Sequence, residues 1–96
     1  MTDKDKRKEE IFIVLKQFIS DIIGEDIVEE LDVNPQSIFT KDLEMDSIEI
    51  VSFAEKVRLK YGDSVNFELW LSSMEFEQLM NLSLEDVTNF IVDAED

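Results

Sequence analysis

The chain contains no cysteine and no histidine. Without Cys there are no disulfides and no thiolate metal sites, which fits a reducing compartment. Without His the usual general base and proton relay is missing. The only glycines are Gly24 and Gly62, so no Gly-rich phosphate loop can be built. No apolar run approaches the roughly 20 residues a membrane span needs. The charged N-terminus leads into no signal-peptide pattern with a small-residue cleavage site. Positive charge is scarce too, with 9 Lys and Arg against 24 Asp and Glu, a net charge of −15. Nucleic acid is a poor partner for such a surface, because binding phosphates needs basic groups that displace counterions. These absences lead us to expect a soluble, cytoplasmic, monomeric protein.

What is present is acid, and it is unevenly placed. Residues 61–96 carry nine acids and no Lys or Arg, and residues 9–50 carry twelve acids against Lys16 and Lys41. The bases gather at Lys4, Lys6, Arg7 and Lys8, and again at Lys56, Arg58 and Lys60. Such a field either steers the molecule to basic patches on other proteins or simply keeps it in solution. With 96 residues and 44% apolar content, the chain reads as one globular domain over 1–96. Its ends, 1–8 and 93–96, are expected to fray.

Hydrophobic periodicity predicts an all-α chain. The first helix spans 1–23, with a Thr2–Asp5 capping box and Asp3 and Asp5 near its N-terminus. Ile11, Val14, Leu15, Phe18 and Ile22 form its apolar stripe, widened by Phe12, Ile19 and Ile23. Gly24 is placed to end it in a left-handed cap. Residues 25–45 read as a long connection with a helical turn near Glu29 and Leu31, broken at Val33-Asn34-Pro35. A connection this long needs a reason to stay ordered. Ile27, Val28, Leu31, Val33, Ile38, Phe39, Leu43 and Met45 supply one, as anchors that pack it over the bundle.

The second helix should run from Ser47 to Tyr61, capped by Asp46 with Glu49 and stopped by Gly62. Ile50, Phe53, Ala54, Val57 and Tyr61 face inward, with Val51 at the edge. Asn66–Leu71 is densely apolar, Ser72 with Glu75 has a cap pattern, and Phe76, Leu79 and Met80 make a short amphipathic turn. Ser83 with Asp86 opens a last helix that buries Leu84, Val87, Phe90 and Ile91. The architecture is a bundle of three longer helices plus one or two short ones, with a long first loop.

The chain offers little to catalyse a reaction with, and it is not expected to be an enzyme. Ser47 has no partner to activate it and no Gly-x-Ser-x-Gly elbow around it. The carboxylates match no EF-hand spacing. One stretch is nevertheless informative: Asp42-Leu43-Glu44-Met45-Asp46-Ser47-Ile48. A serine between an acid and an apolar residue, at a helix start, is well placed to carry a covalent group. Asp-Ser pairs also begin many helices because both residues cap well, so the pair alone signals only a helix. Its setting adds weight: a short, acidic, helical chain, a long anchored loop with Val-x-Pro before it, and an aromatic followed by Gly at the end of its helix.

This stretch resembles the Asp-Ser-Leu signature of acyl and peptidyl carrier proteins, and the resemblance extends over Ile11–Gly62 and Ser83–Ile91. It implies an acyl-carrier-like bundle in which Ser47 is esterified by 4′-phosphopantetheine, transferred from coenzyme A by a phosphopantetheinyl transferase. Acyl intermediates would then be held as thioesters and presented to acyltransferases, ligases and synthases with basic docking patches, in fatty-acid, polyketide or specialised lipid metabolism. The resemblance also implies partner recognition by Asp42, Glu44, Met45, Asp46, Ile48 and Glu49. An acyl pocket is implied among Ile50, Val51, Phe53, Ala54, Val57, Trp70 and Phe76.

The departures are informative. Glu44 stands where many relatives have Gly, and Ile48 where Leu is commoner. The helix after Ser47 turns basic at Lys56, Arg58 and Lys60, and Asn66–Leu82 is longer than usual by about two helical turns. They favour a specialised discrete carrier. Two other readings remain open: a peptidyl or aryl carrier loading an amino or aryl acid, and an acidic helical adaptor with no prosthetic group.

Overall fold

The computed structural model describes residues 3–62 and 67–95. Among them six helices follow in order: α1 (Asp3–Ile23), α2 (Glu25–Glu30), α3 (Ser47–Tyr61), α4 (Phe67–Ser72), α5 (Phe76–Met80) and α6 (Leu84–Glu95). The fold is all-α, with three long helices as expected and three short ones rather than one or two. The Thr2–Asp5 cap and Asn66 lie outside the described residues.

α1 packs against α2, α3 and α6. Ile11, Leu15 and Ile19 recur every fourth residue and are fully buried, so one stripe of α1 forms the spine of the core. α3 contributes Phe53, Ala54 and Val57, and α6 contributes Leu84, Val87, Ile91 and Val92. Phe53 is the centre of an aromatic cluster, with ring centroids 6.4 Å from Phe18, 5.0 Å from Phe39 and 5.9 Å from Phe67. Phe67 in turn meets Trp70 and Phe90, and those two stack 4.2 Å apart. α4 is therefore tied to the bundle through the buried Phe67 ring and through Trp70 on Phe90.

Several local expectations give way to tertiary geometry. Gly24 has φ 103° and ψ 142°, an extended conformation with positive φ rather than a left-handed cap. Its N–H donates to the Ser20 carbonyl at 2.8 Å while its own carbonyl accepts from Val28 N–H at 3.1 Å. One residue thus ends α1 and opens α2, a backbone state only Gly adopts freely. α2 turns the first part of the expected connection into helix, burying Val28 but leaving Ile27 45% exposed. At α5 the cap is Glu75 with Gln78, not Ser72 with Glu75. Ser72 is still helical, and its hydroxyl donates to the Leu69 carbonyl at 3.0 Å. Leu69 is exposed because it lies two residues from Phe67, on the opposite side of a six-residue helix.

The stretch from Leu31 to Asp46 is ordered by a network of its own. Ser37 N–H donates to the Asn34 carbonyl at 2.9 Å, and Asn34 N–H donates to Ser37 Oγ at 3.0 Å. The loop is then joined to the α5–α6 junction. Phe39 N–H donates to the Leu82 carbonyl at 3.1 Å and Leu84 N–H to the Ser37 carbonyl at 3.1 Å. The Thr40 hydroxyl reaches the Met80 carbonyl at 2.7 Å, and Lys41 Nζ reaches Asn81 Oδ1 at 2.7 Å. With Val33, Phe39, Leu43 and Met45 buried, this segment is part of the core rather than a cover over it.

Glu44 sits in this segment at φ 52°, the left-handed region where a side chain costs about 1–2 kcal/mol relative to Gly. Glu44→Gly relieves that strain but frees the unfolded chain. The expected net result is a modest stabilisation of about 0.5–1 kcal/mol, read as a higher urea midpoint. A lower midpoint would show that the Glu44 side chain contributes more than its backbone costs.

Candidate functional site

Ser47 is the first residue of α3. The residue before it, Asp46, is in extended conformation and caps the helix: Asp46 Oδ1 accepts from Glu49 N–H at 2.8 Å, and Glu49 Oε1 accepts from Asp46 N–H at 3.0 Å. Both halves of the box are therefore closed without Ser47, which is left exposed. An exposed hydroxyl at the positive end of a 15-residue helix is a favourable place for an anionic group.

The acids around it hold structure as well as charge. Asp42 Oδ2 accepts from Ile38 N–H at 2.8 Å, while the N–H groups of Asp42 and Leu43 both donate to the Ile38 carbonyl. Asp42, Glu44 and Asp46 are exposed and Glu49 is half-buried. Ile48 is 76% exposed, an apolar contact beside Ser47. Met45 takes the place expected of a loop anchor and not that expected of a recognition residue. It is buried, along with Leu43, while Glu44 and Asp46 between and after them face water. Non-helical backbone alternates its side chains, and Met45 N–H is fixed to the Phe39 carbonyl at 2.9 Å. Met45 is a core residue and offers no surface to a partner.

A groove of about 420 Å³ runs beside Ser47. Its floor is Ser47, Ile50, Val51 and Ala54 of α3; its wall is Glu68, Leu71 and Ser72 of α4 with Leu79 of α5. Of the residues expected around an acyl pocket, Ile50, Val51 and Ala54 line this groove. Phe53 and Val57 do not, because they are fully buried in the core behind that face. Trp70 stacks on Phe90 and lines a separate cavity with Ser73 and Met74. Phe76 is 75% exposed outside the groove. The sequence reading missed Glu68, Leu71, Ser72 and Leu79. The first three sit at i, i+3 and i+4, one face of α4, a signal that periodicity alone could have supplied.

Arg58 of α3 pairs with Glu68 at 3.5 Å, both side chains about half exposed. Among the described residues no group of His, Cys, Asp and Glu is gathered to hold a metal ion, and no helix is long and apolar enough to cross a membrane. The site thus combines an accessible alcohol, a helix start suited to an anion, acids around it and an apolar groove alongside. Comparison with protein-family models, curated proteins and solved structures finds no match to this chain.

Proposed function

We propose that this chain is an acyl carrier: Ser47 bears 4′-phosphopantetheine, and the domain presents acyl groups to partner enzymes. The observation that carries the reading is that an exposed serine at the start of α3 also lines a mostly apolar groove. The residues suit the group. Ser47 Oγ would hold the phosphodiester, the α3 N-terminus would favour its charge, and Ile50, Val51, Ala54, Leu71 and Leu79 would line the path of an apolar cargo. When bound, the arm supplies a thiol on which acyl groups are carried as thioesters.

The chain's own residues do the rest. Asp46 and Glu49 fix the helix start, so Ser47 is presented at a defined place. Asp42, Glu44 and Asp46 supply negative potential that raises encounter rates with basic surfaces, and Ile48 supplies a small apolar contact beside the attachment point. The groove excludes water from one side of a docked chain. Tethering gives the cargo a high effective concentration at each partner. An acidic adaptor without a prosthetic group would require the charge but not the groove. Incubation with coenzyme A and a promiscuous phosphopantetheinyl transferase should add the mass of one arm to the intact protein. No gain would defeat the proposal.

A further inference from the structure

The groove has a direction. Ser47, Ile50, Val51, Ala54 and Arg58 fall on one stripe of α3, and the first four form the groove floor. Arg58 ends the stripe eleven residues beyond Ser47, about 16 Å along the helix axis. At that end its guanidinium meets Glu68 at 3.5 Å, and among the described residues Glu68 is the one charged residue lining the groove. The walls between are apolar at Leu71 and Leu79, and the Ser72 hydroxyl is already engaged with the Leu69 carbonyl.

A purely hydrocarbon chain ending beside Glu68 would strip water from a carboxylate and a guanidinium and return no hydrogen bond. A chain ending in a donor would replace that water. The Glu68 side chain is 57% exposed and its ion pair is a single long contact, so its carboxylate keeps lone pairs open for a second donor. We infer that the groove selects an acyl group that is apolar next to its thioester and carries a hydrogen-bond donor, a hydroxyl or an ammonium, at its far end, with Glu68 as the acceptor. This rests on the carrier reading of Ser47 and names the cargo class that reading leaves open.

The test loads octanoyl, ω-hydroxyoctanoyl and ω-aminooctanoyl arms from the corresponding coenzyme A thioesters onto wild type, Glu68→Leu and Glu68→Gln. Cleavage by hydroxylamine is followed by intact mass. In wild type both donor-bearing cargoes should be released about fivefold more slowly than octanoyl, the effect of one charge-assisted hydrogen bond at a half-exposed site. Glu68→Leu should erase the difference and slow release of octanoyl. Glu68→Gln, the same shape without the charge, should keep the hydroxyl preference and lose the amino preference, which separates the two donors. It also serves if the Leu variant fails to fold. A merely structural role for Glu68 would move all three rates together. Equal rates in wild type, or a preference that survives Glu68→Leu, would overturn the inference and leave the carrier reading intact. Failure to load any arm would overturn the carrier reading, and the inference with it.

Discussion

The Ser47→Ala chain should take up no arm from coenzyme A under conditions that modify wild type completely. The other described serines are each otherwise occupied or less accessible. Ser20 and Ser37 are buried, and Ser37 Oγ accepts from Asn34 N–H. Ser72 and Ser73 donate to the carbonyls of Leu69 and Trp70. Ser83 Oγ accepts from Asp86 N–H as the cap of α6, and Ser52 is half-buried within α3. Ser47 alone among them joins exposure to a helix start whose capping falls to a neighbour. Removing one exposed hydroxyl should change stability by no more than about 0.5 kcal/mol, so a helical circular dichroism spectrum should be retained while loading is lost. A mass gain on the Ala variant would place the attachment elsewhere.

Phe53→Ala should cost about 3–5 kcal/mol, most of the stability available to a domain of this size. The ring is fully buried and touches Phe18, Phe39 and Phe67, which belong to α1, the loop and α4. Its loss opens a cavity where three elements meet, and rigid neighbours collapse into such a space only in part. Through Phe67 it also loosens the wall of the groove. A urea titration followed by emission of Trp70, the single Trp, measures the loss. A cost under about 1 kcal/mol would mean that the site relaxes freely and that these rings do not form the core.

How much of this was legible in the sequence depends on the range of the interaction concerned. α3 runs from Ser47 to Tyr61 as expected, because its boundaries are written within three residues of each end, in the Asp46–Glu49 box and Gly62. The Ser83–Asp86 box opens α6 for the same reason. The buried stripes of α1 and α6 were legible as periodicity. What escaped was set by partners distant in sequence. Nothing local shows that Gly24 serves two helices at once, or that the loop is bonded to Leu82 and Met80. The face of α4 that carries Glu68, Leu71 and Ser72 escaped because a six-residue helix takes its orientation from the tertiary contacts of Phe67. Once Phe67 is anchored in the core, helix geometry turns Trp70 towards Phe90 and leaves that other face to the groove. Met45, expected both as a loop anchor and as a recognition residue, is the first and not the second, because the backbone turns it inward.

The central claim is that Ser47 carries an arm that holds acyl groups. Its most direct test is the mass of this protein purified from its native source, before and after hydroxylamine, with fragmentation to locate the modification. An arm is expected on the peptide containing Ser47, with an acyl mass that hydroxylamine removes while the arm stays. A chain whose Ser47 is wholly unmodified, or whose added mass lies on another residue, would contradict the claim.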